Sequence, residues 1–300
     1  MIVAVNWWDA LEGDSVPGRG NTAMTRTLLI LGGTAEAVEL AHRIMSAHGE
    51  ALRVISSLAG RIEATGNQRG NRSSSIPGEV RIGGFGSQQG LGDYLKQQEV
   101  DWLIDATHPF AATISRNARL ACEAQEVERI VLDRPPWRKH PGDQWVELPD
   151  MTAVAKSLPW LGRRVFLTLG EGGLKAFARL RQPDHPKSWF LVRLISSPEG
   201  PLPLGTEGKD YEVILGRGPF SLDEERALID RHHINVLVAK MSGGTATEAK
   251  IIAAREARIP VLFLSRPPPE PGPRLERMED ILAWLDMRVK QFDETAIGRR

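Results

Sequence analysis

Apolar positions follow two rhythms along this chain. Leu28-Leu29-Ile30-Leu31 is an unbroken apolar run that stops at Gly32-Gly33-Thr34, and a helical rhythm begins at once. Ala37, Leu40, Ala41 and Ile44 fall on one face of it, with Glu36, Glu39, His42 and Arg43 around the rest. The run predicts a strand and the rhythm an amphipathic helix. Further strands are expected at Leu52–Ser57, Val80–Ile82, Trp102–Ala106 and Arg129–Leu132, with helices over Gly90–Gln98 and 111–124. The scheme then restarts, with strands at Val165–Leu169, Trp189–Ile195, Tyr211–Leu215, Asn235–Ala239 and Pro260–Leu264. Helices are expected from near Leu174, over 221–231 and 245–257, and finally over Met278–Val289. Strands alternating with helices at this spacing predict an α/β protein with parallel sheets covered on both faces. The second half echoes the first, so the expectation is two Rossmann-like doubly wound parallel-sheet domains with a cleft between them.

The composition sets the boundaries. Residues 24–134 form the first domain, 135–149, rich in proline, tryptophan and charge, a linker, 150–290 the second domain and 291–300 a frayed tail. Residues 1–23 lack the pattern of an export signal and read as an extension, with Met24 a plausible native start. An arm packing Trp7 and Trp8 on the body is the alternative. Lys and Arg number 38, as do Asp and Glu, so the net charge is zero and a bulk electrostatic interaction with nucleic acid or an anionic membrane is not expected. One cysteine, Cys122, excludes an intrachain disulfide and a multi-cysteine metal site and suits a reducing cytoplasm. No apolar run approaches the roughly 18 residues of a membrane span. A cytoplasmic protein acting on a small molecule is the expectation, with no metal centre.

The chemistry concentrates at predicted strand ends. Gly32-Gly33-Thr34, Ser56-Ser57, Gly83-Gly84 and Thr107-His108 all lie at carboxyl ends of strands, where ligands gather in such sheets. A glycine turn opening a helix presents bare backbone N–H groups, a good seat for phosphate, although the spaced-glycine dinucleotide fingerprint is absent and a plain tight turn is the alternative. After the second strand come Ser56, Ser57 and Arg61 with no acidic residue. If a dinucleotide binds, this favours a 2′-phosphate, hence NADP over NAD. A solvated loop is the alternative there.

These motifs, taken in order, resemble the precorrin-6A reductase family of cobalamin (vitamin B12) biosynthesis. The resemblance is carried by Ile30-Leu31-Gly32-Gly33-Thr34-Ala35-Glu36-Ala37, Ser57-Leu58-Ala59-Gly60-Arg61 and Gly78-Glu79-Val80-Arg81-Ile82-Gly83-Gly84-Phe85-Gly86. It continues through Asp105-Ala106-Thr107-His108-Pro109-Phe110-Ala111, Arg134-Pro135-Pro136-Trp137, Gly216-Arg217-Gly218-Pro219-Phe220 and Lys240-Met241-Ser242-Gly243-Gly244-Thr245-Ala246-Thr247-Glu248-Ala249-Lys250. It spans residues 27 to about 268. Met241 stands where many relatives carry asparagine, and Glu171 where arginine or a similar residue is common.

The resemblance implies an NADPH-dependent reduction of a ring double bond of precorrin-6A, or of its cobalt form, to precorrin-6B. Gly32, Gly33 and Thr34 are then expected at the pyrophosphate, Ser57 and Arg61 at the 2′-phosphate, and Gly84 and Thr107 elsewhere along the NADP. His108 is the expected proton donor, with Lys240 a second catalytic candidate. A polycarboxylate macrocycle calls for scattered cations and backbone donors, and these are expected from Arg116, Arg217, Lys240, Ser242, Gly243, Gly244 and Thr245. Two other readings stay open: an NADP-dependent reductase of another polycarboxylate, and a non-enzymatic two-domain ligand-binding protein.

Overall fold

The computed structural model describes residues 25–59, 76–181 and 187–297. Its first sheet is built from β1 (Arg26–Leu31), β2 (Leu52–Leu58), β3 (Glu79–Ile82), β4 (Val100–Asp105) and β5 (Glu128–Leu132). Between them run α1 (Ala35–His48), α2 (Gln88–Gln97) and α3 (Ala112–Gln125). The second sheet holds β6 (Trp145–Leu148), β7 (Arg164–Leu167), β8 (Trp189–Leu194), β9 (Tyr211–Leu215), β10 (Val236–Lys240) and β11 (Val261–Leu264). It is accompanied by α4 (Met151–Ser157), α5 (Leu222–Arg231) and α6 (Ala249–Glu256). The chain closes with β12 (Arg274–Leu275) and α7 (Met278–Ile297). Both sheets have six strands and every pairing is parallel.

The strand orders are β3-β2-β1-β4-β5-β12 and β9-β8-β7-β10-β11-β6. Each is the doubly wound order in which the chain reverses direction, beside β1 in one sheet and β7 in the other, opening a crevice at the strand carboxyl ends. The expected α/β architecture with two parallel sheets is therefore observed. Alternation along β1 explains why helices cover both faces. Leu28 and Ile30 pack with Ala37, Leu40, Ala41 and Ile44 of α1 and with Ile281, Trp284 and Leu285 of α7. Leu29 and Leu31 pack on the other face with Leu91 and Leu95 of α2 and Ala118, Ala121 and Cys122 of α3. The second sheet is covered in the same way, by α4 and the 3-10 segment Glu171–Arg181 on one face and by α5 and α6 on the other.

The sixth strand of each sheet departs from the domain boundaries read in the sequence. β6 lies in the segment expected as a linker, yet it pairs with β11 at the edge of the second sheet. β12 and α7, expected inside the second domain, belong to the first: β12 pairs with β5, and α7 buries Ile281 and Leu285 in the first core. The physical reason is burial, because without α7 the β1 face beside α1 would stay wet. The chain thus crosses between the sheets twice, and the two crossings lie side by side. Among the described residues no helix is long and apolar enough to cross a membrane.

Candidate active site

The turn after β1 is built as a phosphate seat would be. Gly33 adopts φ +104°, is exposed, and a Cβ added there would meet nothing within 4 Å. Thr34 caps α1: its hydroxyl accepts from the Ala37 N–H at 3.1 Å and donates to the Ala106 carbonyl at 3.0 Å. That second bond ties the turn to β4 across the point where the strand order reverses. The first-turn amides of a helix have no carbonyl one turn back, so they are available to an anion. Gly32 also serves close packing, since its Cβ would stand 3.3 Å from Leu58 and 3.4 Å from Ala37.

Beyond β2, Ser57 is buried and pairs in register with Arg81 of β3. Arg81 reaches over Ser57 Oγ (3.4 Å) to donate to the carbonyls of Gly83 (2.5 Å) and Gly84 (2.9 Å), and it lies 3.8 Å from the Phe85 ring centroid. Arg61, expected as the cation of this corner, lies outside the described residues. Arg81 is the cation that the sequence reading missed. The signal was its place on a strand paired to β2, which only register reveals.

At the end of β4, Asp105 is 1% exposed. Its Oδ1 accepts from the Thr107 N–H (3.2 Å) and the Thr107 hydroxyl (2.7 Å), while Oδ2 stands 3.9 Å from the Arg129 guanidinium without a hydrogen bond. Ser115 lies 3.2 Å from Thr107 Oγ1. These residues border a cavity of about 150 Å³ roofed by the crossing segment, including Arg266, Glu270 and Arg274.

His108 is set among cations. Its Nδ1 accepts the Phe110 N–H at 3.2 Å, which leaves the ring proton on Nε2. Burial, reinforced by Arg134, Lys240, Lys250 and Arg266, holds its pKa at about 3. The imidazole is therefore neutral near pH 7, its charged form disfavoured by burial and by the four cations. What His108 marks is a cluster of four cations. Lys240 stands over the Phe110 ring at 5.4 Å, and Lys250 over the Trp137 ring at 5.7 Å, burial lowering the Lys250 pKa to about 8.

The turn after β10, expected as a substrate-binding anion seat, is engaged otherwise. Ser242 and Gly243 are buried. Arg266 donates to the carbonyls of Met241 (2.7 Å), Ser242 (2.8 Å) and Arg134 (2.8 Å), and Trp137 Nε1 donates to Gly244 O at 2.9 Å. A Cβ at Gly243 would overlap the Pro135 carbonyl, and one at Gly244 would lie 2.5 Å from Glu36 Oε1. Both glycines, at φ +65° and +80°, permit backbone contact between the two halves rather than ligand approach. Lys240 is half-buried beside this junction and Thr245 is exposed. Arg217 is exposed on the loop after β9, and Arg116 is exposed on α3, where nothing ties it to the cluster.

The glycine turn, the β4 end and the cationic junction are thus brought together; Arg116 and the buried part of the 242–244 turn are not. Comparison with known proteins gives the setting. Residues 27–286 match the family model described as Precorrin-6x reductase CbiJ/CobK. The chain is 42% identical to a precorrin-6A reductase of Rhodococcus erythropolis over 87% of its own length and 98% of the relative. It is 40% identical to that of Rhodobacter capsulatus, over 87% and 96%. A solved structure of CobK precorrin-6A reductase superposes with a TM-score of 0.77 at 38% identity, covering 87% of this chain and 96% of that one. The likeness read from the motifs holds over nearly the whole chain, which belongs to the precorrin-6x reductase CbiJ/CobK family of oxidoreductases.

Proposed function

We propose that this chain catalyses the NADPH-dependent reduction of a ring double bond of precorrin-6A, or of its cobalt form, to precorrin-6B in cobalamin biosynthesis. One observation carries the reading. The first turn of α1, with its anion-ready amides, meets the four-cation cluster around His108 through Arg134, which bonds Glu36 of that turn at 3.0 Å. A phosphate seat and a polycarboxylate seat then share one junction.

A bound nicotinamide dinucleotide supplies the hydride, and the protein supplies alignment. Gly32, Gly33 and Thr34 hold the pyrophosphate, Ser57 and Gly84 border the adenosine end, and Thr107 borders the nicotinamide. The Thr107 hydroxyl hydrogen is committed to Asp105, so its oxygen has only lone pairs to offer and accepts from an amide N–H. Lys240, Arg217 and Thr245 are the proposed contacts for substrate carboxylates, with Arg134 and Arg266 adding to the field. His108 shapes the loop before Pro109 through its bond to the Phe110 N–H, while water or a substrate carboxyl group delivers the proton to the neighbouring ring carbon. Oxidation of NADPH, followed at 340 nm with precorrin-6A and with its cobalt form, tests the reading. Consumption with either supports it, and none with both overturns it.

A further inference from the structure

Lys250 is a buried cation that the fold leaves without a counter-ion. It stands in the first turn of α6 and is 7% exposed. Glu225 of α5 attracts it, but both Glu225 oxygens are taken by Arg193 of β8, at 2.6 and 3.0 Å. That pair is itself buried, with the Arg193 guanidinium 3.9 Å from the Phe220 ring centroid and 4.8 Å from that of Phe166. Arg193, Glu225 and Lys250 thus leave one positive charge out of water, which is costly unless it is paired. Among the described residues no salt bridge of the Lys250 ammonium offsets that cost. Burial lowers its pKa only to about 8, so it stays mostly protonated at pH 7.

Its surroundings identify the missing partner. The ammonium lies 5.7 Å from the ring centroid of Trp137, on the first crossing between the sheets, and its charge reaches His108 together with those of Lys240, Arg134 and Arg266. The neighbouring cations have partners of their own: Arg266 donates to three carbonyls and Arg134 bonds Glu36. The charged and titratable groups that face Lys250 are therefore Glu225, already paired, the neutral His108, and the cations Arg193, Lys240, Arg134 and Arg266. Such a surround repels further cations and draws in an anion. A carboxylate suits it, since an ammonium offers three donors and a carboxylate only acceptors. The proposed phosphate seat lies at α1 on the first sheet, so an anion reaching α6 on the second arrives with the substrate.

We infer that Lys250 holds one carboxylate arm of the substrate, its ammonium making in the complex the ion pair that it lacks in the free protein. The inference rests on the polycarboxylate-substrate reading above. It carries a signature that a structural lysine would not show. A lysine that serves the fold weakens the fold when removed. A lysine kept for an incoming anion burdens the free protein, so an apolar replacement of similar length spares the fold and harms substrate binding alone.

Lys250→Met in the full chain separates the two. Its melting temperature is expected to equal or exceed that of wild type. In NADPH oxidation at 340 nm, KM for precorrin-6A rises about tenfold or more, as loss of a hydrogen bond between charged groups requires, while KM for NADPH holds. Wild type alone gives a second measurement. The lysine is charged below about pH 8 and neutral above it, so KM for precorrin-6A climbs between pH 7 and pH 9, and this climb is absent from Lys250→Met. An unchanged KM for precorrin-6A in the variant would overturn the inference, as would a parallel rise in KM for NADPH or a wild-type KM flat across that pH range. No NADPH consumption by wild type with precorrin-6A or its cobalt form would overturn the reductase reading itself, an outcome distinct from a variant that binds substrate as well as wild type.

Discussion

Gly244 lies in the turn after β10 of the second sheet and Glu36 in α1 on the first, yet a Cβ on Gly244 would stand 2.5 Å from Glu36 Oε1 and 3.0 Å from Arg134 Nη1. The second half of the chain is seated on the first turn of α1, the turn that opens at the proposed phosphate seat. Gly244→Ala must therefore move Glu36 and adopt φ near +80° with a side chain. A cost of about 2–3 kcal/mol is expected from strain and overpacking. Thermal unfolding checks it; a melting temperature unchanged from wild type would mean that the contact yields freely.

Glu36 is anchored on one oxygen only. Arg134 bonds Oε1 at 3.0 Å, while Oε2 is buried without a partner. Arg134→Ala should cost about 1–3 kcal/mol, because it leaves a half-buried carboxylate without its partner. Adding Glu36→Gln should recover part of that loss. Urea unfolding of the two single variants and the double variant measures the coupling, and simple additivity would show that the pair is not a pair.

The neutral imidazole of His108 predicts a pH dependence. Its folded pKa, about 3, lies below the ordinary 6.5, so between these values the unfolded chain binds a proton that the folded chain refuses. The stabilisation is complete above pH 6.5 and is lost as the pH falls toward 3, at up to about 1.4 kcal/mol per pH unit. Unfolding free energies of wild type and His108→Gln should converge, or cross, between pH 7.5 and pH 5. A constant gap would contradict the assignment.

Asp105 holds Thr107 with one oxygen and faces buried Arg129 with the other. Asp105→Ala removes both functions and should cost about 3–5 kcal/mol by leaving Arg129 unpaired. Asp105→Asn keeps an acceptor for Thr107, so a smaller loss is expected. Melting temperatures rank the two, and an asparagine variant no better than alanine would argue against the Thr107 contact.

Open space around Gly33 allows a further check on the phosphate seat. An added methyl meets no protein atom within 4 Å, so packing should tolerate Gly33→Ala apart from the positive φ. A phosphate lying on the bare backbone would not tolerate it, and NADPH affinity should drop about tenfold or more. Fluorescence titration with NADPH gives the answer. Affinity equal to wild type would move the pyrophosphate elsewhere.

Much of this was legible from local pattern. The apolar run Leu28–Leu31, the glycine break and the amphipathic face of α1 identify strand, turn and helix, and Thr34 stands where an N-cap belongs. Repeating that logic yields both parallel sheets and the edge at which ligand-binding turns collect, because periodicity and glycine are properties of neighbours in sequence. The decisive exceptions are all contacts between residues far apart in the chain. β12 has two residues, too few to carry a periodic signal, β6 lies in a stretch whose proline, tryptophan and charge read as a linker, and their places at the sheet edges are set by pairing with the distant β5 and β11. His108 lost its charge to burial and to cations from Arg134 through Arg266, none of which is a neighbour in sequence. Gly243 and Gly244 looked like a ligand turn because a bare backbone suits an anion and a second protein surface equally well. Arg81 became visible only once β3 was set in register against Ser57. The sequence by itself determined the elements and their order, and folding in three dimensions decided which charges meet and which glycines are covered, since electrostatics and packing act across space rather than along the chain.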